Sequence, residues 1–329
     1  MISIIIIGKN EGGKLIKCLE SVSNLIHSNK EILFEVIYID SNSTDNSIVN
    51  ARNFGDNIRI YKINGKTNAA IARNIGAKEA KGDVLFFLDG DMEVNITFLN
   101  HAVSNGQLTY DVVTGHINDY IYNDEGIFQR VKLRTYKENI PVELQIINTL
   151  GGVFLIKKRI WNTIGGMRTK YKLNEDFDIS FRLRKNKIKL VRLPYLIVNH
   201  HTFEYLGIKE MTKTLFCGKI FYPAMLFREH FLLHFIWKHA IRSNYSAILL
   251  FISLVFFAIR VNYGVVFLFL YCIVIIIRTF FNMRTNVSRE NNIIYFICRL
   301  VYHITNDISF WLGFFFFHPK NHKLKYEKV

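Results

Sequence analysis

Two carboxylates one residue apart, Asp89 and Asp91 around Gly90, close the apolar run at 84–88. At the end of a buried strand such a pair can offer hard oxygen ligands to a divalent cation, which in turn can neutralise a diphosphate. A lone Asp-x-Asp is more often a plain acidic turn. Here other acids stand at comparable places: Asp40 ends the apolar run at 35–39, and Glu175-Asp176 follow the double glycine Gly165-Gly166 and open a helical pattern. A helix N-terminus stabilises carboxylates. Capping accounts for one acid there, not for two. A second double glycine, Gly151-Gly152, sits in the apolar run at 150–156, where missing side chains would let a substrate approach the backbone.

The elements that must position these residues alternate. The stretches 2–7, 35–39, 58–63 and 84–88 read as strands, 35–39 as a buried run and 84–88 as one buried on both faces, and helical spacing at 14–22 and 68–80 fills the gaps. Strand-helix alternation of this kind predicts an α/β fold, a doubly wound, mostly parallel sheet flanked by helices. Asn10, Asp40 and the Asp89/Asp91 pair then lie along one edge, where ligands bind in open α/β sheets. Further on, 111–115 reads as another strand, and 125–137 as a helix or a mobile loop.

Composition divides the chain. Of 329 residues the first two hundred mix charge and apolar runs, while the last ninety are dominated by Phe, Ile, Leu and Val. The formal net charge of +15 calls for an anionic partner. Much of the basic excess lies beside the apolar C-terminal segments and no nucleic-acid motif is present, so membrane lipids are expected and nucleic acid is not. Four scattered cysteines without a C-x-x-C pair read as free buried thiols of a reducing compartment. The apolar 2–7 run is too short for a signal sequence and is followed by Lys9-Asn10-Glu11, so the first half is expected to stay cytoplasmic.

Ile4-Ile5-Ile6-Ile7-Gly8-Lys9-Asn10-Glu11, Asp40 to Asp45, Arg73-Asn74-Ile75-Gly76, Asp89-Gly90-Asp91, Gly151-Gly152 and Gly165-Gly166 through Glu175-Asp176 occur in an order and spacing that resemble family 2 glycosyltransferases, over roughly residues 1–201. The resemblance implies a glycosyltransferase A fold (Rossmann-like), a nucleotide-diphosphate sugar donor with UDP expected, a divalent cation (Mg²⁺ or Mn²⁺) and inversion at the anomeric carbon. Carried over by position, it implies that Asp176 is the catalytic base. Asn10, Glu11, Asp40, Asn42, Arg73, Asp89 and Gly90 would bind the donor, with Asp40 at the base and Arg73 supporting the diphosphate or Asp89. Asp91 and Asp89 would hold the metal, and Gly151, Gly152 and Glu175 would meet the acceptor. Of His200 and His201, which follow the run at 196–198, His201 is assigned as a third metal ligand or phosphate contact, the alternative being a pair that merely ends a strand. Two departures matter: Ser41-Asn42 replace the more usual acid and glycine, and no Gln-x-x-Arg-Trp follows Asp176, which argues against long processive synthesis.

The domain reading is a catalytic domain over 1–203, amphipathic interfacial helices over 204–242, and a membrane region over 243–329. That region holds a hairpin (243–259 and 263–281), an in-plane helix or third span over 293–317, and a basic tail. Each hairpin arm is slightly short of the roughly 20 residues a span needs. Lys238, Arg242, Arg278, Arg284 and Arg289 flank its open end and Arg260 alone marks its tip, which places the open end in the cytoplasm, in a membrane of bacterial inner type. The expected function is transfer of a sugar to a lipid-linked or membrane-proximal glycan acceptor in cell-surface polysaccharide or glycolipid synthesis. A polyprenyl-phosphate glycosyltransferase is the enzymatic alternative, and a non-catalytic nucleotide-sugar-binding scaffold the alternative of another class.

Overall fold

The computed structural model describes residues 1–55, 57–123, 125–134, 142–203, 208–284 and 293–329. It divides into two compact units, Met1–Glu204 with Lys320–Val329, and Tyr205–Pro319.

The first unit is built on an eleven-stranded sheet. Its strands are β1 (Ile2–Gly8), β2 (Phe34–Asp40), β3 (Ile58–Ile63), β4 (Val84–Asp89), β5 (Met92–Val94), β6 (Val112–Tyr122), β7 (Phe128–Leu133), β8 (Gln145–Ile147), β9 (Phe154–Lys157), β10 (Leu190–Phe203) and β11 (Tyr326–Lys328). The centre, β3-β2-β1-β4, is parallel, as the alternation predicts. Antiparallel β9 then joins β4 to β6, and β6 runs parallel to the long β10.

β1 shows why the central strands are so apolar. Its even residues Ile2, Ile4 and Ile6 pack in one core with Leu15, Cys18, Leu19 and Val22 of helix α1 (Gly13–Ser28). Its odd residues Ile5 and Ile7 pack in the other with Ile71, Ala72 and Ile75 of helix α3 (Ala69–Glu79), helix α2 (Ser47–Asn53) lying between in sequence. A strand covered by helices on both faces has no polar side to show. Gly76 is fixed by this packing, since a Cβ there would stand 2.2 Å from Ile5 Cγ2. The side chain of Asn68 caps α3, accepting from Ile71 N at 2.8 Å.

Three expectations change. Within 125–137 the described part is strand β7, antiparallel to β6; the extension of β6 to Tyr122 supplies the backbone partners that a window of sequence cannot show. Residues 124 and 135–141 lie outside the described residues. All four cysteines are free, but only Cys18 is buried, while Cys217 and Cys272 are exposed. Residues 320–329, read as a basic tail of the membrane region, join the first unit, where β11 pairs with the edge of β3.

The second unit is helical: α5 (Ile208–Phe216), α6 (Tyr222–Glu229), α7 (His234–Ser243), α8 (Tyr245–Ile259), α9 (Val261–Arg284) and α10 (Ile293–Phe316). Gly218, at φ +67, breaks the amphipathic stretch that the sequence runs together. Val261–Met283 is long and apolar enough to cross a membrane, with mean hydropathy 2.5, and α7 and α8 form a pair bent by 95°. The stripe Arg299, His303 and Asp307 of α10 is buried among neighbouring helices, with Asp307 Oδ1 3.4 Å from Arg278 Nη1 and Oδ2 accepting from Tyr271 OH at 3.3 Å.

Candidate active site

The ends of β1, β2 and β4 meet at one edge because the parallel register aligns Gly8 with Asp40 and Ile7 with Asp89. The loops leaving that edge turn through left-handed backbone at Asn10 (φ 58) and Asn42 (φ 62), a conformation asparagine tolerates. They are tied to each other: Asn10 N donates to Ser43 Oγ at 3.0 Å, and Thr44 N donates to Asn10 Oδ1 at 2.8 Å. Asp40 is fully buried. It accepts from Ser43 N at 2.8 Å and Tyr38 OH at 3.2 Å, so in this state its carboxylate shapes the loop.

Arg73 joins the distant acids. Its side chain is 2 % exposed, Nη2 lies 2.7 Å from Asp89 Oδ1, and Nη1 lies 3.3 Å from Glu175 Oε1. Nη2 also donates to Gly152 O at 3.2 Å. A planar fork with donors on two sides can span acids on separate elements in a fixed geometry, where an ammonium is a single point charge without that fork. Burial disfavours its charge, but Asp89 and Glu175 more than compensate and raise its pKa. Gly152 belongs to the same knot. A Cβ there would fall 2.5 Å from Asp89 Oδ2 and 2.9 Å from Arg73 Nη2, so its bareness makes room for the ion pair, whereas nothing stands within 4 Å of a Cβ on Gly151.

Glu175 and Asp176 open helix α4 (Glu175–Lys185). Asp176 keeps some contact with solvent, yet burial first and the Glu175 charge second push its carboxyl up to about 7. That suits a proton acceptor at neutral pH. The loop before it is clamped from α3, where Asn74 donates to Met167 O at 2.7 Å and accepts from Met167 N at 2.9 Å.

The Asp91 carboxylate faces the ring of His200, and His201 meets Asp91 only through its backbone N, which donates to Asp91 O at 2.9 Å. Asp91 Oδ2 is 3.4 Å from His200 Nε2, and His200 Nδ1 is 2.7 Å from Asp119 Oδ1. Burial opposes a charge on His200, but hydrogen bonds to Asp119 and Asp91 outweigh it and lift its pKa to about 9. Neighbours in a strand face opposite ways. His201 accordingly faces away, with Nε2 2.6 Å from Glu93 and Nδ1 2.8 Å from Tyr122 OH, at a cavity of about 370 Å³ lined also by Lys17, Tyr120 and Phe128. Glu11 completes the acidic edge, pushed up to about 7 by burial and then by Asp91.

Asp91 Oδ1 is buried and has no hydrogen-bond partner among the described residues. No three His, Cys, Asp or Glu side chains among the described residues form a ready metal cage. One open carboxylate oxygen beside a second acid fits a cation of the Mg²⁺ kind, which is usually held by one or two carboxylates together with substrate phosphates. Asp119 is the residue here that sequence reasoning passes over; His200 is weighed there beside His201, which is assigned instead, and Asn74 enters only as part of the Arg73 to Gly76 motif.

A sheet edge that gathers acids from separate strands round one guanidinium, with a raised carboxyl at a nearby helix start, is the ligand-binding edge expected of an α/β fold of the glycosyltransferase A type. The chain belongs to glycosyl transferase family 2, whose pattern it matches over residues 3–176. It is 28% identical over 205 residues to an uncharacterized glycosyltransferase of Haemophilus influenzae, covering 56% of this chain and 62% of that protein. It is 31% identical over 129 residues to glycosyltransferase AglE of Haloferax volcanii, covering 38% of this chain and 41% of that protein. With the amylovoran biosynthesis glycosyltransferase AmsB of Erwinia amylovora it shares 22% identity over 238 residues, covering 68% of this chain and 77% of that protein. The chain thus spans less than two thirds of the first two relatives. Among solved structures, S. aureus TarS in complex with UDP-GlcNAc aligns at TM-score 0.48 and 15% identity, over 74% of this chain and 75% of that one.

Proposed function

We propose that this chain is an inverting glycosyltransferase that moves a sugar from a nucleotide-diphosphate donor, UDP-linked by expectation, to a lipid-linked or membrane-proximal glycan acceptor in cell-surface polysaccharide synthesis. The observation that carries this reading is the Arg73 bridge. It holds Asp89, at the end of β4, and Glu175, next to Asp176, on one buried guanidinium. Donor-side and acceptor-side acids thereby belong to one site although they come from opposite halves of the unit.

In this mechanism Asp176 takes the proton of the acceptor hydroxyl as it attacks the anomeric carbon, a contribution of about 10²- to 10⁴-fold. Arg73 orients Asp89 and Glu175. Asp91, with Asp89 and with His200 beside it, would hold the divalent cation, which when bound offsets the charge growing on the leaving diphosphate. Asn10 and Asn42 shape the donor loops, and Asp40 lies under them.

For location we propose a membrane-bound enzyme with its catalytic unit on the cytoplasmic side, through the helical segment 205–319. The chain leaves the catalytic unit at 204 and rejoins it at 320. Both ends of the segment therefore lie on one side, and it crosses an even number of times: α8 and α9 as a hairpin with α10 packed along it, not a third span.

Turnover of a panel of nucleotide sugars tests the activity. Cation-dependent release of one nucleotide, stimulated by membrane lipid extract, is expected. Nucleotide binding without turnover of any donor would instead mark a scaffold, and transfer to polyprenyl phosphate alone would move the acceptor to that anion.

A further inference from the structure

The chain's last ten residues return from the helical unit to the catalytic sheet, and what they touch there is the loop that feeds the base. β11 pairs antiparallel with β3, Tyr326 opposite Ile63 and Lys328 opposite Tyr61. The strand is extended on both sides by Asn64 N donating to Lys325 O at 2.8 Å and Val329 N donating to Ile60 O at 3.0 Å. Tyr326 OH donates to Glu79 Oε1 at 2.6 Å, and the Leu324 and Tyr326 side chains pack on the α3 core. So anchored, the segment ahead of β11 meets Thr169. Thr169 Oγ1 donates to His322 O at 2.9 Å and accepts from His322 N at 2.7 Å, while Lys170 N donates to Asn321 Oδ1 at 3.2 Å.

Loop 165–174 needs such holding. It has left-handed backbone at Gly165 (φ 70), Gly166 (φ 64) and Asn174 (φ 67) and no regular structure between. Its first part is clamped by Asn74 and its end is the start of α4. At its middle, Thr169 O accepts from Asn68 Nδ2 at 2.8 Å, and Asn68 caps the helix that carries Arg73. Thr169, 7 % exposed, is therefore tied on one side to the helix of the Arg73 bridge and on the other to the tail.

We propose that residues 320–329 act as a strap that positions the base-bearing loop, with Thr169 as the positioning residue through which Asn321 and His322 act on Asp176. Covering the edge of β3 would need only β11. The paired bonds to Thr169 lie outside that strand and serve no edge. The consequence is kinetic, because displacing a catalytic group by about 1 Å can cost on the order of 10²-fold.

The proposal rests on the glycosyl-transfer reading, and the test separates the two. In the full chain, Thr169→Val removes the hydroxyl at nearly constant shape, Thr169→Ser restores it, and Asn321→Ala removes the acceptor of the Lys170 N bond and of the longer Thr169 Oγ1 contact at 3.5 Å while leaving the paired His322 bonds in place. The expected result is a kcat roughly 10- to 100-fold lower for Thr169→Val with donor KM nearly unchanged, a smaller loss for Asn321→Ala, and recovery by Thr169→Ser. Amide hydrogen exchange over 167–174 should quicken in step with the kcat loss. Wild-type kcat in Thr169→Val, or unchanged exchange over 167–174 in both Thr169→Val and Asn321→Ala, overturns the strap. Should the wild type turn over no donor, the functional reading fails, and the exchange comparison still decides whether the tail holds the loop.

Discussion

Replacing Asp176 by Asn should cost activity and add stability, and the second effect has a definite pH dependence. The folded protein raises the Asp176 carboxyl from 3.8 to about 7, by burial and then by the Glu175 charge. A carboxyl that holds its proton more tightly when folded makes stability fall as pH rises from about 4 to 7, and the full penalty stands above 7. About three units at 1.36 kcal/mol each give a ceiling of roughly 4 kcal/mol. Partial contact of the carboxyl with water brings this to about 2 kcal/mol, a Tm change of roughly 4–8 °C for a unit of about two hundred residues. Asparagine carries no charge at either pH and its Oδ1 can still accept from Phe177 N, as the carboxylate does at 2.9 Å. Thermal unfolding of wild type and Asp176→Asn should therefore coincide near pH 4, with the variant several degrees higher at pH 8. Its kcat at pH 8 should be about 10²- to 10⁴-fold lower, while wild-type kcat falls with unit slope below about pH 7. A variant no more stable than wild type at pH 8, or one that keeps its turnover, would refute the placement of a strained base at this position.

Four other outcomes follow from the same geometry. Arg73→Ala strands Asp89 and Glu175 without their shared partner and should destabilise by about 3–5 kcal/mol in denaturant titration; Arg73→Lys should not restore transfer, since a single ammonium nitrogen lacks the fork whose two nitrogens hold Glu175 on one side and Asp89 with Gly152 O on the other. Gly152→Ala drives a methyl into the Asp89–Arg73 pair and should lower stability by about 1–3 kcal/mol and raise donor KM, read by unfolding and kinetics together. Asp91→Ala should abolish the cation-dependent part of nucleotide binding in calorimetry while leaving the fold intact by circular dichroism. In sealed vesicles, a cysteine at Lys323→Cys should react with impermeant reagent from the same side as one at Lys9→Cys, and reaction from opposite sides would exclude an even number of crossings.

The four central strands were legible because strands covered by helices are rich in apolar residues: 84–88 is apolar throughout, and 2–7, 35–39 and 58–63 interrupt Ile, Val and Tyr only with Ser3, Glu35, and Arg59 and Lys62. Asp40 and Asp89, which end two of these strands, were legible for a related reason: a carboxylate directly after such a run stands at a sheet edge. Tertiary structure decided how those acids are used. Arg73 and Glu175 are 102 positions apart, and no local pattern joins them. The period of a strand says that His200 and His201 face opposite ways, but only the pairing of β10 with β5 and β6 turns His200 toward Asp91. Gly152 reads as bare backbone for a substrate until the ion pair beside it is seen. The tail is the plainest case. Its three-residue strand has no propensity to announce it, because the force that orders it is the unpaired edge of β3, some 260 residues earlier in the chain.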